Sequence, residues 1–173
     1  MEFTMNNTAK TTLLTFLLSF SAFASAGHHS GTTQEGTQVK HVGFSQMGDP
    51  ATVLEVKKEA SRALRLGDVR VKVLASPINP SDLLQIAGNY GVDPVLPARP
   101  GSEGIGRVTE VSADVQALKV GQLVLLASGN TWAEELVAPA ADFLPLPDLG
   151  VVGADVIEQL AMAAVNPLTA LLM

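Results

Sequence analysis

Short apolar segments separated by glycine and proline dominate the chain between residues 39 and 146. Within several segments apolar and polar residues alternate, as they do in β-strands that bury one face. In residues 69–74, three valines alternate with Arg70 and Lys72. We predict strands over residues 40–46, 53–57, 69–75, 104–111, 123–127, 133–137 and 143–146. This number of short strands predicts a mainly β fold with short helices, arranged as a small, partly open barrel.

Two segments have helical character. Residues 81–87 follow a proline and end before Gly88, and Ser81 and Asp82 are placed to cap the first turn. Residues 154–172 are rich in Ala, Leu and Met at helical spacing, with Asn-Pro interrupting them at 166–167. We therefore predict one helix of two turns and, near the end, two helical pieces that meet at the proline. The proline-containing segment 91–99 is predicted to be a long loop.

Length, charge and cysteine content exclude several classes of protein. At 173 residues the chain can form one packed domain. Its net charge is -6, and its 11 Lys and Arg residues form no cluster, so we expect no nucleic-acid partner. The sequence has no cysteine, which excludes disulfides, thiolate nucleophiles and zinc sites that need sulfur.

The first residues are typical of a secretory signal. Lys10 precedes an apolar run over residues 13–23, and a small-x-small sequence follows at 24–26. We predict a signal peptide over residues 1–26 and a flexible leader over 27–37. The apolar run is about half of the ~20 residues that a membrane span needs. Asp155 and Glu158 argue against a span in the last segment, so we expect no stable membrane insertion of the mature chain. A genuine signal implies a secreted or periplasmic protein. An uncleaved apolar tail, or a later start such as Met5, implies a cytoplasmic one.

Five short motifs, in a fixed order, carry a resemblance to a known family. They are Ile78-Asn79-Pro80-Ser81-Asp82, Gly88-Asn89-Tyr90-Gly91, Gly101-Ser102-Glu103-Gly104, Leu118-Lys119-Val120-Gly121 and Val165-Asn166-Pro167-Leu168-Thr169-Ala170. Each motif alone is weak, but together they resemble the GroES-like N-terminal domain of the medium-chain dehydrogenase/reductase superfamily. The chain is most similar to the zinc-independent trans-2-enoyl-thioester (enoyl-CoA) reductases, and next to the quinone oxidoreductases.

The resemblance implies a domain organisation and the absence of a catalytic zinc. Residues 38–150 match the GroES-like catalytic domain, and residues 151–173 match the helical start of a Rossmann cofactor domain that is otherwise missing. In zinc-dependent relatives a histidine ligand takes the position of Ser102, and a cysteine ligand lies upstream. This chain has serine there and no cysteine, so we expect no metal at the site.

Tyr90 is the candidate catalytic residue and the only tyrosine in the chain. The resemblance implies that it gives a proton to the substrate α-carbon while hydride from NADPH reaches the β-carbon. A phenol suits this role because it keeps its proton at neutral pH. The glycines on either side of the Asn89-Tyr90 pair would let the loop approach a ligand closely. The alternative is a loop tyrosine that packs on the barrel rim.

The resemblance also implies cofactor-binding residues. Asn166 matches an asparagine that contacts NADPH, and its amide offers a donor and an acceptor to the nicotinamide or its ribose. Thr169, one helical turn later, is a second candidate, and Asn79 is a third. Local explanations compete, because an Asn-Pro pair breaks helices and Asn79 also suits a turn or cap. Glu103 is expected to pair within the barrel, and Trp132 to lie in the core.

The glycines at positions 101, 104 and 106 do not form a nucleotide-binding loop. Their spacing is the reverse of the dinucleotide fingerprint, and they precede a predicted strand instead of a helix. Nothing else in the sequence resembles a phosphate cradle. The motifs thus predict a domain that contributes residues to the reaction on the substrate but does not contain a complete cofactor-binding site.

The leading hypothesis is the catalytic domain of an NADPH-dependent enoyl-thioester or quinone reductase. We expect it to be truncated before its Rossmann domain and inactive or nearly so alone, with intact relatives often forming homodimers. The first alternative is a secreted, non-catalytic barrel that binds a small ligand or partner. The second is a gene fragment without function.

Overall fold

The computed structural model describes residues 37–173, so the predicted signal peptide and most of the predicted leader lie outside the described residues. The strands are β1 (Gln38–Gly43), β2 (Glu55–Ala60), β3 (Asp68–Ala75), β4 (Gly104–Val111), β5 (Leu123–Leu126), β6 (Glu135–Pro139) and β7 (Phe143–Pro145). The helices are α1 (Pro50–Val53), α2 (Pro80–Ile86), α3 (Ala154–Ala161) and α4 (Asn166–Leu172). A 3-10 turn, Ala140–Asp142, precedes β7.

The strands form two antiparallel sheets. Five strands pair in the order β6-β3-β4-β5-β7, and β1 pairs with β2 as a separate ribbon. An isolated bridge between His41 and Ala133 joins the ribbon to the segment just before β6. The larger sheet curls into a half-barrel, which confirms the predicted mainly β, partly open GroES-like fold.

Alternation along β3 places the core. Val69 and Val71 are fully buried, while Arg70 between them pairs on the opposite face with Glu110 and Glu135. The remaining buried members of this core cluster are Val108, Leu118, Val124, Leu126 and Phe143. Each such side chain contributes about 1.5–3 kcal/mol when it is fully removed from water. The strand pattern read from the sequence is therefore the pattern that stabilises the sheet.

Glycines at the start of β4 allow close approach to β3. A Cβ on Gly104 would lie 2.8 Å from the Ala75 carbonyl oxygen, and one on Gly106 would lie 2.9 Å from that of Lys72. Gly101 has a φ of +99°, which side chains rarely adopt, and a Cβ there would meet Thr131 and Trp132. These glycines serve a turn and strand packing and lead into a strand, as the sequence predicted.

One short helix was not expected. Pro50 begins α1, and the Asp49 carboxylate caps it by accepting from the Ala51 backbone N–H at 3.0 Å. This turn takes up Val53, so β2 begins at Glu55 and not at residue 53. The predicted start of that strand was wrong because a local cap outweighed the strand propensity of the valine.

The C-terminal segment forms two helices, as predicted, but they do not meet at the Asn-Pro pair: α3 ends at Ala161, a turn follows over residues 162–165, and the pair begins α4. The proline stands at the start of a helix, where its missing N–H costs no hydrogen bond. Ile157, Leu160 and Ala161 of α3 pack against Ile105 and Leu123 of the sheet. Among the described residues, no helix combines the length and apolar character that crossing a membrane requires. The packing of α3 brings the segment that follows it to the start of β4.

Candidate functional site

A buried carboxylate organises the polar side chains near the start of β4. Glu103 is fully buried, immediately before the strand. Its Oε1 accepts a hydrogen bond from Asn79 Nδ2 at 3.1 Å. Its Oε2 accepts from the backbone N–H groups of Ala164 at 3.1 Å and Val165 at 2.8 Å. Glu103 thus pairs within the structure, as expected, and it brings the start of α2 together with the segment that enters α4.

The backbone of Glu103 is held as firmly as its side chain. Its carbonyl oxygen accepts from the hydroxyls of Ser76 and Thr131, each at 2.8 Å, and Thr131 is fully buried. Trp132 packs on an apolar cluster, and its Nε1 donates to the Pro77 carbonyl at 3.0 Å. Sequence reasoning missed Ser76 and Thr131, because they are 27 and 28 residues away and belong to no motif.

The start of α2 is fixed by a second buried carboxylate. Asp82, 1% exposed, accepts from the Asn79 backbone N–H at 2.9 Å and from the Ser102 hydroxyl. The first contact is one half of a capping box. Asn79 therefore has the local cap role that the sequence offered as an alternative, and its cofactor role stays a prediction. Within residues 37–173, no three His, Asp or Glu side chains are grouped to hold a metal ion.

Tyr90 lies on the loop that follows α2. Ile86, at the end of the helix, is fully buried against Phe44 and Val53. Gly88 adopts a φ of +74°, and the Asn89 N–H donates to the Leu84 carbonyl at 2.8 Å, which ends the helix. The Tyr90 side chain is 48% exposed. The Tyr90 ring is therefore accessible to a ligand. The loop that carries it follows a helix whose last residue is anchored in the core.

Asn166 and Thr169 lie on α4 and are both exposed. Thr169 donates twice to the Val165 carbonyl, from its backbone N–H at 3.0 Å and from its hydroxyl at 2.9 Å. The hydroxyl oxygen therefore keeps lone pairs with which to accept. The N–H of the same Val165 donates to Glu103. Val165 therefore connects Asn166 and Thr169, two of the three predicted cofactor contacts, to the buried Glu103 carboxylate.

Two cavities lie elsewhere in the half-barrel. One, of about 660 Å³, lies between the β1–β2 ribbon and β3, with Val42, Val73 and Trp132 among its walls. The other, of about 1090 Å³, is more polar and includes Arg99 and Ser102. None of the four predicted site residues is among those that line these cavities. Tyr90, on the loop after α2, and Asn166 and Thr169, on α4, are exposed outside both cavities.

His41 lines both cavities. Burial lowers the pKa of its imidazole, the Arg99 guanidinium and Lys57 lower it further, and Glu59 opposes them. The Glu59 Oε1 is 3.8 Å from His41 Nδ1, and that nitrogen has no hydrogen-bond partner among the described residues. A neutral imidazole is therefore favoured in the folded chain.

Comparison with known proteins agrees with this architecture. The alcohol dehydrogenase GroES-like domain model matches residues 65–148. Human mitochondrial enoyl-[acyl-carrier-protein] reductase is 40% identical over 139 residues, which are 79% of this chain and 36% of the relative. The chain contains a GroES-like domain of the medium-chain dehydrogenase/reductase superfamily. It spans little more than a third of the length of the curated relatives it matches.

Solved structures place the GroES-like domain in the same group. The Etr1p/Etr2p heterodimer, a mitochondrial 2-enoyl thioester reductase of Candida tropicalis, is 32% identical with a TM-score of 0.69, covering 79% of this chain and 43% of that one. A Bacillus thuringiensis protein assigned as an NADPH:quinone reductase is 35% identical with a TM-score of 0.69, covering 79% and 40%. The GroES-like domain is therefore similar to both branches that the motifs indicated.

Proposed function

We propose that this GroES-like domain is the substrate-handling part of an NADPH-dependent enoyl-thioester reductase. The observation that carries the proposal is the half-exposed Tyr90 on a loop anchored by the buried Ile86. The similarity to enoyl-[acyl-carrier-protein] reductases over most of the described chain supports it. A proton donor must be both accessible and held in place. The half-exposed ring supports the first requirement, and the anchored end of α2, four residues earlier, supports the second.

In this proposal Tyr90 is the general acid. NADPH, when bound, supplies the hydride that adds to the β-carbon of the enoyl thioester. The Tyr90 hydroxyl gives its proton to the α-carbon, and solvent restores that proton at the exposed ring. Because α2 is capped by Asp82 and buried at Ile86, the loop starts from a fixed point. That restraint limits the positions of the phenol and favours productive proton transfer.

Asn166 and Thr169 are the proposed contacts to the nicotinamide end of NADPH. Both side chains are exposed, and together they offer amide and hydroxyl groups that can accept or donate. Asn79 is a third proposed contact with weaker support, because its Nδ2 is already occupied by Glu103. The remainder of a dinucleotide site would come from outside the described residues.

The proposal extends to zinc independence and to a dimer. At the position where the zinc-dependent relatives have a histidine ligand, the Ser102 hydroxyl donates to Asp82. The Ser102 hydroxyl and the Asp82 carboxylate are thus both used in the hydrogen bonds that hold the start of α2. The Candida tropicalis relatives form a heterodimer of two related chains, and we propose that the complete gene product here likewise associates with a second copy.

The decisive experiment compares the wild-type complete gene product with its Tyr90→Phe variant. NADPH oxidation is followed with crotonyl-CoA and, separately, with a benzoquinone. We expect enoyl reduction to fall by roughly 10²- to 10⁴-fold in the variant, since a positioned acid contributes about that much. NADPH affinity should not change, because the ring is retained.

Three other outcomes would contradict the proposal in different ways. An unchanged rate of enoyl reduction removes Tyr90 from the mechanism. Reduction of the quinone alone, equally fast in both proteins, assigns the domain to quinone reduction. Failure to bind NADPH or to reduce either substrate favours the non-catalytic ligand-binding barrel.

A further inference from the structure

Glu103 connects regions that are far apart in the sequence. Its carboxylate accepts from Asn79, 24 residues earlier, and from Ala164 and Val165, 61 and 62 residues later. The side chain is fully buried, so no water competes for these contacts. Hydrogen bonds to a carboxylate in such surroundings are among the stronger ones in proteins.

Among the side chains of α4 that the structure describes, none is buried. Asn166 and Thr169 are exposed, and Leu171, Leu172 and Met173 are 81%, 78% and 101% exposed. The preceding helix differs, since α3 packs three side chains against the sheet. We infer that the orientation of α4 is set just before its first residue, where the backbone N–H groups of Ala164 and Val165 donate to Glu103.

Hydrogen bonds and chain connectivity link Glu103 to Asn166 and Thr169, the two proposed cofactor contacts on α4. Val165 donates its N–H to the carboxylate and accepts twice from Thr169 through its carbonyl. Asn166 is the next residue along the chain. A shift of Val165 would consequently move both side chains together.

We propose that Glu103 is a positioning residue that fixes α4 so that Asn166 and Thr169 face the nicotinamide. Glu103 performs no chemistry itself, and this role rests on the proposed function. A carboxylate is needed because its two oxygens accept on opposite sides, from an amide on one side and from main-chain N–H groups on the other. A glutamine has one oxygen and must present its NH₂ group to one of those donors.

The test uses the complete gene product with Glu103→Gln and with the double variant Asn79→Asp/Glu103→Gln. In the single variant we expect the KM for NADPH to rise about tenfold and kcat to fall by up to about 10²-fold, the cost of a misplacement of about 1 Å. In the double variant the new amide can donate to the new carboxylate while its oxygen still accepts from the main chain. We expect the double variant to have a lower KM for NADPH than Glu103→Gln alone, short of the wild-type affinity by whatever contact Asn79 itself makes with NADPH.

Thr131→Val is the matched control. It removes the hydroxyl bond to the backbone carbonyl of Glu103 and the bond to the Ser76 hydroxyl, and it leaves the carboxylate contacts in place. We expect a lower melting temperature and a KM for NADPH within about twofold of wild type. If Glu103→Gln behaves in the same way, or if the double variant shows no recovery, Glu103 is only structural and the proposal is overturned.

Amide hydrogen exchange separates this proposal from the proposed function. Exchange at Ala164 and Val165 should accelerate in Glu103→Gln and slow again in the double variant, whether or not the protein reduces enoyl thioesters. Unchanged exchange overturns the positioning role. A wild-type protein that is inactive on enoyl thioesters, but whose exchange follows this pattern, overturns the proposed function and leaves the anchoring of α4 established. If the single variant fails to fold, recovery of folding without recovery of NADPH affinity in the double variant also overturns the proposal.

Discussion

The Tyr90 loop and α4 contribute the two halves of the candidate site, and they are held by different forces. Ile86 anchors the Tyr90 side by apolar burial against Phe44 and Val53. Helix α4 depends instead on the hydrogen bonds that Glu103 accepts from the two residues before it. Apolar packing is non-directional, whereas hydrogen bonds require particular atoms at particular distances. Substitutions should therefore loosen one half while leaving the other in place.

The largest expected effect on stability comes from Ile86→Ala. Truncating this fully buried side chain should cost about 2–5 kcal/mol of unfolding free energy. Activity that depends on Tyr90 should fall, while amide exchange at Ala164 and Val165 stays close to wild type under folding conditions. Denaturant titration and hydrogen exchange check both points.

Leu84→Ala is the control for that prediction, because Leu84 lies on the same helix and is 45% exposed. It should change stability by no more than about 0.5 kcal/mol. If Ile86→Ala accelerates exchange at α4 as much as Glu103→Gln does, the two halves are not held independently.

Asp82→Ala should have an intermediate effect and reach both halves. It removes the acceptor for the Asn79 N–H and for the Ser102 hydroxyl, which should cost about 1–3 kcal/mol. Because Asn79 also donates to Glu103, the loss of the cap should raise the KM for NADPH as well as slow proton transfer. Asp93→Asn, on the exposed loop beyond Tyr90, is the control and should change neither quantity. An effect of Asp82→Ala on stability alone would show that the two carboxylates act separately.

The smallest expected effect is a pH dependence from His41. Its pKa lies below the ordinary value of 6.5 because of burial and the nearby Arg99, so the unfolded chain takes up a proton first as pH falls. This contribution to stability is complete above pH 6.5 and is lost as pH falls through that value towards the folded pKa. The free energy of unfolding, measured at about pH 7.5 and about pH 5.5, should fall less in His41→Gln than in wild type. An equal fall in both proteins would assign the acid sensitivity to other groups.

Local patterns in the sequence predicted much of the fold. The alternation of valines with charged residues located β3, and the Asn-Pro pair located the start of α4, although four residues separate it from the end of α3. The order of five motifs indicated the GroES-like domain. The start of β2 was missed, because a proline and an aspartate cap produced the short α1 in place of strand.

The candidate site was less predictable than the fold. Tyr90, Asn166 and Thr169 were selected by resemblance, and their roles stay predictions. No local pattern indicates that Ser76 and Thr131 hold the Glu103 backbone, because their contacts span 27 and 28 residues. Glu103 itself was predicted in part, since it was expected to pair but had no named partner.

The sequence by itself determined most of the strands and the positions of α2, α3 and α4, since these depend on side-chain periodicity and on caps within a few residues. Only the tertiary structure decided that the Tyr90 ring is half exposed and that one buried carboxylate joins α2 to α4. The physical reason is that a buried carboxylate takes hydrogen bonds from whichever donors the folded chain places beside it. Those donors come from segments whose separation along the chain carries no local pattern.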